Sequence, residues 1–234
     1  MHFNLTDNFT FNDNPPQLAY DRARLALLFD QIAHHARETG GEPKAKRIDT
    51  LVKNESLTRL DLNKDDSLLD LGCGMGRILF EVAPVVRWGY GVDISKVSLA
   101  SARARATEEG HKNLLFGHGA IEAPSLEINI AAAEINKMLL LWSLHHLPDN
   151  LKGEALTGLV RKLRKPGRIV IGDLMFFEPP DKHKLLWDRV GYDGGLTDHP
   201  STADFLKRLL MRLGGAVEVF RLHPLAGVIA ASWE

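Results

Sequence analysis

Three glycines at alternate positions carry the strongest chemical signal in this 234-residue sequence. Gly72, Gly74 and Gly76 follow the apolar run Leu68-Leu69-Asp70-Leu71. That run is short enough for a buried strand, and glycine lets the backbone turn sharply and approach a ligand before a helix begins. A turn of this kind points free backbone N–H groups at an anion. The segment therefore predicts a loop that binds the charged end of a cofactor.

The spacing of the loop separates two kinds of nucleotide site. Dinucleotide-binding folds use Gly-x-Gly-x-x-Gly, whereas this loop is Gly-x-Gly-x-Gly, which counts against a dehydrogenase. A second apolar segment ends at Asp93, about 20 residues beyond the first glycine, where a carboxylate can accept from a ribose diol. The alternative role for Asp93 is to cap the helix that begins near Ser95. Two strand ends are thus expected to flank one ligand.

A third motif completes a family pattern. Together with Asp70 in the glycine loop and Asp93, the segment Leu144-His145-His146-Leu147-Pro148-Asp149 resembles the class I S-adenosylmethionine-dependent methyltransferases of the small-molecule type. The resemblance covers roughly residues 65 to 234. It implies S-adenosylmethionine as cofactor and S-adenosylhomocysteine as product. It also implies a Rossmann-like α/β fold: a seven-stranded, mostly parallel sheet in the order 3-2-1-4-5-7-6 with helices on both faces.

The resemblance also assigns the parts of the cofactor. The loop and Asp70 would hold the methionine end, Asp93 both ribose hydroxyls, and Ile94 one face of the adenine. Where the family has an acidic residue after the third strand, this chain has His118, so His118 or Glu122 is expected to meet the adenine amino group. The complete predicted cofactor-binding set is Asp70, Gly72, Cys73, Gly74, Gly76, Asp93, Ile94, His118, Gly119 and Trp142.

His145 and His146 are the candidate catalytic residues. A histidine that titrates near neutrality is the usual general base when an acceptor must lose a proton. The alternative is that both histidines only shape the loop, since many displacement reactions need positioning alone. Adjacent histidines are expected to point in different directions and to chelate poorly, so no metal is predicted.

The methyl acceptor is expected to be a small molecule that binds under a lid. Aromatic residues from the N-terminal region and from the segment after the fifth strand could supply an apolar wall, although ordinary packing is the alternative for each. These predicted substrate-binding residues are Tyr20, Phe29, Phe176, Trp187 and Tyr192. The acceptor atom would be nitrogen, oxygen or sulfur.

Two other functions stay open at this point. The departures from the family at His118 and Asn136 are compatible with a protein that binds S-adenosylmethionine without transferring its methyl group. A methyltransferase of protein or RNA is the third possibility. The 29 lysines and arginines balance 30 acidic residues, which gives no electrostatic argument for a nucleic-acid or membrane partner.

The intervening sequence predicts the elements that position these residues. Residues 1–60 are expected to form an arm and helices that cap the substrate, and residues 61–234 the cofactor-binding domain, with a lid insertion at about 176–200. Strands and helices alternate, as in a parallel sheet covered on both faces. Ser201 is predicted to cap a helix, and two final strands to form a hairpin. The predicted parallel strands lie near 67–71, 89–93, 113–117, 136–141 and 168–173.

Composition adds a few further expectations. The single cysteine, Cys73, excludes an internal disulfide and fits a reducing compartment. The first residues lack the pattern of a signal peptide, and no stretch approaches the roughly 18 apolar residues of a membrane span. We therefore expect a soluble, cytoplasmic protein with no membrane partner, either a monomer or a homodimer.

Overall fold

The computed structural model describes residues 20–39, 47–124, 128 and 133–234. The predicted arm, residues 1–17, and the Gly40-Gly41 stop signal lie outside the described residues. The strands are β1 (Ser67–Leu71), β2 (Trp88–Asp93), β3 (Leu114–His118), β4 (Lys137–Leu141), β5 (Gly167–Phe176), β6 (Ser201–Thr202), β7 (Ala216–His223) and β8 (Ala226–Trp233). The helices are α1 (Arg22–Thr39), α2 (Arg47–Leu60), α3 (Arg77–Val82), α4 (Lys96–Glu108), α5 (Asp149–Lys162), α6 (Trp187–Val190) and α7 (Ala203–Arg212), with 3₁₀ turns at Leu144–His146 and Pro180–Leu186.

These strands form a mixed sheet in the order β3-β2-β1-β4-β5-β8-β7, and β6 pairs with β5 off this path. Strands β1 to β5 run parallel to their neighbours, whereas β8 is antiparallel to both β5 and β7. The order matches the predicted 3-2-1-4-5-7-6 once the two-residue β6 is left out of the count, which confirms the fold class. Reversal of strand order between β1 and β4 opens a crevice at their carboxyl ends, where such sheets bind ligands.

The sheet is buried on both faces because its central strands are almost wholly apolar. Every residue of β1 is buried, and two clusters of apolar side chains pack on opposite sides of the sheet. Helix α2 contacts β4, β5 and β8, with Val52 and Leu60 fully buried. Helix α1 packs instead against α4 at the side of the crevice. Of the two N-terminal helices, α1 is therefore the one in a position to cover a ligand.

Asn136 has a structural task in this sheet. Its side-chain oxygen accepts from the backbone N–H of Ser67 at 2.8 Å, and its amide nitrogen donates to Asp66 Oδ1 at 2.6 Å. These bonds join the start of β1 to the start of β4 at the edge of the sheet opposite the crevice. The departure from the family pattern at Asn136 thus lies away from the ligand end.

Two predicted boundaries are wrong for the same reason. Ser201 does not cap α7, because it lies in β6 and pairs with Met175 of β5. The cap is Thr202, whose side chain accepts from the N–H of Phe205 at 3.1 Å. Strand β5 continues to Phe176, three residues beyond its predicted end, because β6 and β8 both supply it with backbone partners there. Long-range pairing thus overrides local capping and turn signals.

The turn after β1 brings two strand ends into contact. Gly72 has a φ of 81°, and a Cβ built on it would lie 2.5 Å from Cβ of Ser143, the second residue after β4. Ser143 Oγ donates to the carbonyl of Leu71 at 2.8 Å, which holds the two ends together. Only glycine satisfies both the backbone conformation and the close approach.

Replacement of Gly72 by alanine should therefore lower the unfolding free energy by more than the amount that alanine loses in a left-handed conformation. Gly110 is the matched control, because its φ is 72° and nothing lies within 4 Å of a Cβ built there. We expect Gly110→Ala to cost about 1–2 kcal/mol of unfolding free energy, and Gly72→Ala about 1–3 kcal/mol more because of overpacking. Urea denaturation measures both, and equal losses would contradict the proposed contact with Ser143.

Candidate functional site

A cavity of about 520 Å³ lies at the carboxyl ends of β1 and β4. Its floor comes from the glycine turn and the strand ends, one side comes from α1, and α6 and the glycine after it contribute to the rim. A volume of this size suits a small-molecule or cofactor site. The residues that line it are Phe29, Ile32, Ala33, Ala36, Asp49, Asp70, Gly72, Cys73, Gly74, Met75, Arg77, Ile78, Ser98, Leu141, Trp142, His145, Leu174, Val190 and Gly191.

The glycine turn is held by the carboxylate of Asp93. Asp93 Oδ2 accepts from the N–H of Gly74 at 2.7 Å, and Oδ1 accepts from the N–H of Ser95 at 2.8 Å. Ser95 also caps α4, since its hydroxyl accepts from the N–H of Ser98 at 3.0 Å. Asp93 therefore connects the end of β2 to the glycine turn, and each oxygen keeps lone pairs for a further donor.

Asp70 supplies a buried acidic group at the cavity floor. Its carboxyl is 2% exposed, and burial together with the nearby Asp93 raises its pKa from 3.8 to about 7, against the opposing effect of Arg77. Desolvation disfavours a charge that no close cation compensates. A cationic ligand group in the cavity would offset that penalty, so the floor is suited to an ammonium or a similar positive group.

Trp142 marks strain at the end of β4. Its φ is 52°, a left-handed conformation that costs a side chain such as this one about 1–3 kcal/mol. Its backbone N–H still donates to the carbonyl of Gly172 at 2.9 Å. The indole Nε1 is buried and has no hydrogen-bond partner among the described residues. Strain and an unsatisfied donor at one cavity-lining residue are typical of a ligand site.

His145 is held in place by Asp173 of β5. Asp173 Oδ2 accepts from the backbone N–H of His145 at 3.0 Å, and Oδ1 accepts from the ring at Nδ1. Burial alone would lower the pKa of His145, but the Asp173 carboxylate raises it above 6.5. Because an ionised carboxylate only accepts hydrogen bonds, the ring proton of a neutral His145 lies on Nδ1. Nε2 then carries a lone pair.

His146 and Asp198 complete a compact group around His145. The two rings lie 4.0 Å apart between centroids, so the expectation that adjacent histidines point apart is wrong for this 3₁₀ turn. Asp198 Oδ1 lies 3.4 Å from both His145 Nε2 and His146 Nδ1. Burial and the neighbouring His145 lower the pKa of His146. Burial would raise the pKa of Asp198, but both histidines hold it below its usual value.

The residues predicted to meet adenine lie beside the cavity, at the ends of β2 and β3. His118 Nε2 is 3.2 Å from the carbonyl oxygen of Ile94, and Gly119 donates its N–H to the carbonyl of Asp93 at 3.0 Å. Glu122 Oε1 accepts from the Tyr20 hydroxyl at 2.8 Å, which brings the chain just before α1 to the same edge. Their contacts with a cofactor stay predictions.

Apart from Tyr20, which bonds to Glu122, the predicted aromatic wall divides into two groups. Phe29 lines the cavity and its ring lies 5.1 Å from that of His146. Phe176, Trp187 and Tyr192 form a cluster of edge-on rings, 5.4 and 4.9 Å apart, next to the cavity-lining Gly191. The cluster supports α6 at the rim. A role in acceptor binding stays a prediction for all of them.

Sequence reasoning missed the two acidic partners of His145. Asp173 lies in a central strand, where a buried carboxylate needs a partner, and that is the signal that could have found it. Asp198 lies in the segment predicted only as a lid, and nothing in its local sequence points to His145. The small residues Ala33 and Ala36 on α1 were also missed, and both line the cavity.

No helix in the described part of the chain has the length and apolarity needed to cross a bilayer.

Comparisons with known proteins place these features in a family. Residues 62–186 match the family model described as a methyltransferase domain. The chain is 25% identical over 173 residues to the 27-O-demethylrifamycin SV methyltransferase of Amycolatopsis mediterranei. It is 33% identical over 93 residues to a 23S rRNA (uracil(1939)-C(5))-methyltransferase of Aliivibrio salmonicida. Its fold is similar to that of magnesium protoporphyrin IX methyltransferase from Synechocystis PCC 6803 with bound SAH, with a TM-score of 0.67 and 15% identity.

The extent of these matches differs. The rifamycin match covers 71% of this chain and 61% of the relative, and the rRNA match covers 40% and 21%. The structural match covers 92% of this chain and all of its neighbour. The chain therefore spans less than two thirds of the two curated relatives.

Asp70 should make the stability of the protein depend on pH. Its pKa is higher in the folded chain than in the unfolded one, so the folded state is favoured at low pH and loses that advantage as the pH rises from about 4 to about 7. Relative to Asp70→Asn, the wild-type unfolding free energy should fall by up to about 1.4 kcal/mol per pH unit in that window. Urea unfolding at pH 5, 6, 7 and 8 measures the difference.

The matched control is Asp65→Asn, which removes one exposed carboxylate on the turn before β1. If the difference in unfolding free energy between wild type and Asp70→Asn does not change with pH, burial does not raise the pKa of Asp70.

Proposed function

Since the chain belongs to the methyltransferase-domain family, as a class I S-adenosylmethionine-dependent methyltransferase, we propose that it transfers a methyl group to a nitrogen, oxygen or sulfur atom of a small molecule. The observation that carries the proposal is the shared cavity. The glycine turn and Asp70 lie on its floor, and His145, oriented by Asp173, lies on its wall. A cofactor cradle and a proton acceptor thus face the same cavity.

The residues on the cavity floor fit S-adenosylmethionine. That molecule carries an ammonium, a carboxylate, a ribose diol and a sulfonium. Within the left-handed turn, Gly74 has nothing within 4 Å of a Cβ built on it, which leaves space there for the methionine end. Asp70 would offset the ammonium, and its raised pKa is the observation that favours a cationic group there. Asp93 would accept from the ribose hydroxyls, a charge-assisted contact.

A small and mainly apolar acceptor fits the opposite side of the cavity. Phe29, Ile32 and Ala33 of α1 face the strand ends, and Leu174 and Val190 line the space beyond His145. Apolar walls with few polar groups favour an organic molecule over a charged polymer. The rifamycin relative, which is named for a small-molecule acceptor, is consistent with this class.

The residues of this chain do two things for the reaction. S-adenosylmethionine, when bound, supplies a methyl group on a sulfonium that is already activated. The cavity walls hold the acceptor and exclude water, which provides most of the acceleration in a displacement of this kind. His145 takes the acceptor's proton at Nε2, since Nδ1–H is committed to Asp173. His146 packs beside that ring, and Phe29 in turn packs edge-on against His146.

A methyltransferase of RNA is the second candidate. The rRNA relative favours it, but that match is confined to 93 residues. The net charge of −1 provides no general attraction for phosphates. A binding protein without turnover is the third candidate, and the His145–Asp173 pair counts against it because cofactor binding alone does not need an oriented base.

Asp173→Asn tests the proposed proton acceptor. Both the N–H and Nδ1–H of His145 need an acceptor, and asparagine offers one oxygen where aspartate offers two. If the new amide oxygen accepts from the backbone N–H of His145, the amide NH2 group must donate to Nδ1. The ring proton of a neutral His145 then lies on Nε2, which can no longer accept a proton. We expect kcat for methyl transfer to fall about 10²–10⁴-fold, with the Kd for S-adenosylhomocysteine changed less than twofold.

The assay measures release of S-adenosylhomocysteine from S-adenosylmethionine with pools of phenols, thiols, amines and total RNA as acceptors. His111→Asn, a histidine in the turn between α4 and β3, is the control and should match wild type. Activity with RNA alone would overturn the small-molecule acceptor, and cofactor binding without turnover on every pool would overturn the enzyme. Equal kcat in wild type and Asp173→Asn would exclude His145 as the base.

A further inference from the structure

Beyond the proposed reaction, we propose that His145, His146 and Asp198 form a binding site for one divalent transition-metal ion, with Zn²⁺ as the preferred ion. Each of the three residues offers one ligand atom within 4.8 Å of the others. Asp198 Oδ1 faces both His145 Nε2 and His146 Nδ1. Two imidazoles and one carboxylate with a free fourth position form the ligand set of many zinc and iron sites.

The two distances that join the carboxylate of Asp198 to the histidines match a tetrahedral ion better than they match hydrogen bonds. Asp198 Oδ1 lies 3.4 Å from each of the two ring nitrogens. Charge-assisted hydrogen bonds between such groups are shorter, about 2.7–2.9 Å. Ligand atoms about 2.1 Å from a tetrahedral zinc ion are separated by about 3.4 Å, which follows from the tetrahedral angle. His146 Nδ1 is also buried without a hydrogen-bond partner among the described residues.

Two of the three ligands, His145 and Asp198, are oriented from behind, as in established metal sites. Asp173 accepts a hydrogen bond from Nδ1–H of His145, which fixes the tautomer and leaves Nε2 as the metal-binding atom. The N–H of Asp193 donates to Asp198 Oδ2 at 3.0 Å and leaves Oδ1 to face the histidines. A carboxylate behind a histidine and a backbone donor behind a carboxylate are the contacts that stabilise a metal ligand.

The segment that carries Asp198 is fixed at both ends. The carboxylate of Asp193 accepts from the N–H groups of Gly195, Leu196 and Thr197 at 2.6–2.9 Å. At the other end, the ammonium of Lys152 is buried and donates to Ser201 Oγ at 2.7 Å and to the carbonyl of His199. The N–H of His199 in turn donates to the carbonyl of His145 at 2.6 Å. The site is therefore preorganised, and a metal ion would pay little to order it.

Metal binding would also affect the proposed reaction. This effect, unlike the metal site itself, rests on the proposed function. A metal ion on Nε2 of His145 occupies the lone pair that would take the acceptor's proton. Zinc binding and proton acceptance therefore exclude each other. Binding itself is measured without cofactor or acceptor, so a failure of the metal site and a failure of the proposed function give separate results.

The test is a titration of the full, tag-free chain with Co²⁺ after chelator treatment, followed by visible absorption and by displacement with Zn²⁺. We expect one equivalent of Co²⁺ with the intense absorption of a four-coordinate ion, and its loss when one equivalent of Zn²⁺ is added. Loss of a residue that only hydrogen-bonds to a metal ligand typically weakens metal binding about 10–100-fold. His146→Gln and Asp198→Ala, which each remove a ligand, should weaken it more.

His183→Gln is the matched control, because His183 forms a separate pair with Glu178 at 2.7 Å and should leave binding unchanged. Circular dichroism verifies that each variant is folded, and His146→Gln, at the partly exposed ring, keeps the test valid if Asp198→Ala unfolds. Absence of a saturable one-to-one spectrum in the wild type would overturn the site. So would a six-coordinate spectrum, or equal binding by wild type and His146→Gln.

Discussion

The hydrogen bonds between Asp173 and His145 are the interaction on which the whole site depends. Asp173 is 1% exposed in the centre of the sheet, where an unpaired carboxylate would be costly. It is satisfied by the backbone N–H and ring of His145 and by the N–H of Leu174. This joins the end of β5 to the turn after β4 and directs one imidazole to the cavity. The backbone of His145 then positions His199, and with it the segment that carries Asp198.

The glycine turn plays the corresponding part on the other side of the crevice. Close contact between Gly72 and Ser143 brings the ends of β1 and β4 together, and the Asp93 carboxylate ties the turn to β2. Three strand ends are thus fixed around one cavity, while α1 closes it from the side. Strain at Trp142 and the burial of Asp70 are costs of that arrangement. Costs of this kind are retained at functional sites because a ligand recovers part of them.

The local sequence predicted those parts of the molecule that depend on a few neighbouring residues. The strand before Gly72, the acidic end of β2 and the cap at Ser95 all carry signals within about five residues, and each is found in place. The resemblance to a family added the strand order. Parts that depend on distant pairing were not predictable, such as the Thr202 cap displaced by β6 and the length of β5.

The same distinction explains the site. His145 was predicted from its motif, whereas its partners Asp173 and Asp198 lie 28 and 53 residues further along the chain and meet it only in the fold. The orientation of His146 was also beyond local reasoning, because a 3₁₀ turn does not separate neighbouring side chains as a strand would. Buried polar residues find their partners through packing, and packing is a property of the whole chain.

The most direct test of this cavity as a methyl-donor site is calorimetric titration of S-adenosylhomocysteine into the wild-type chain and into Asp93→Asn. We expect one molecule bound per wild-type chain and, because a charge-assisted acceptor for the ribose hydroxyls is lost, at least about tenfold weaker binding by the variant. Absence of binding to the wild-type chain, or equal affinity in the two proteins, would contradict the assignment of this cavity as a methyl-donor site.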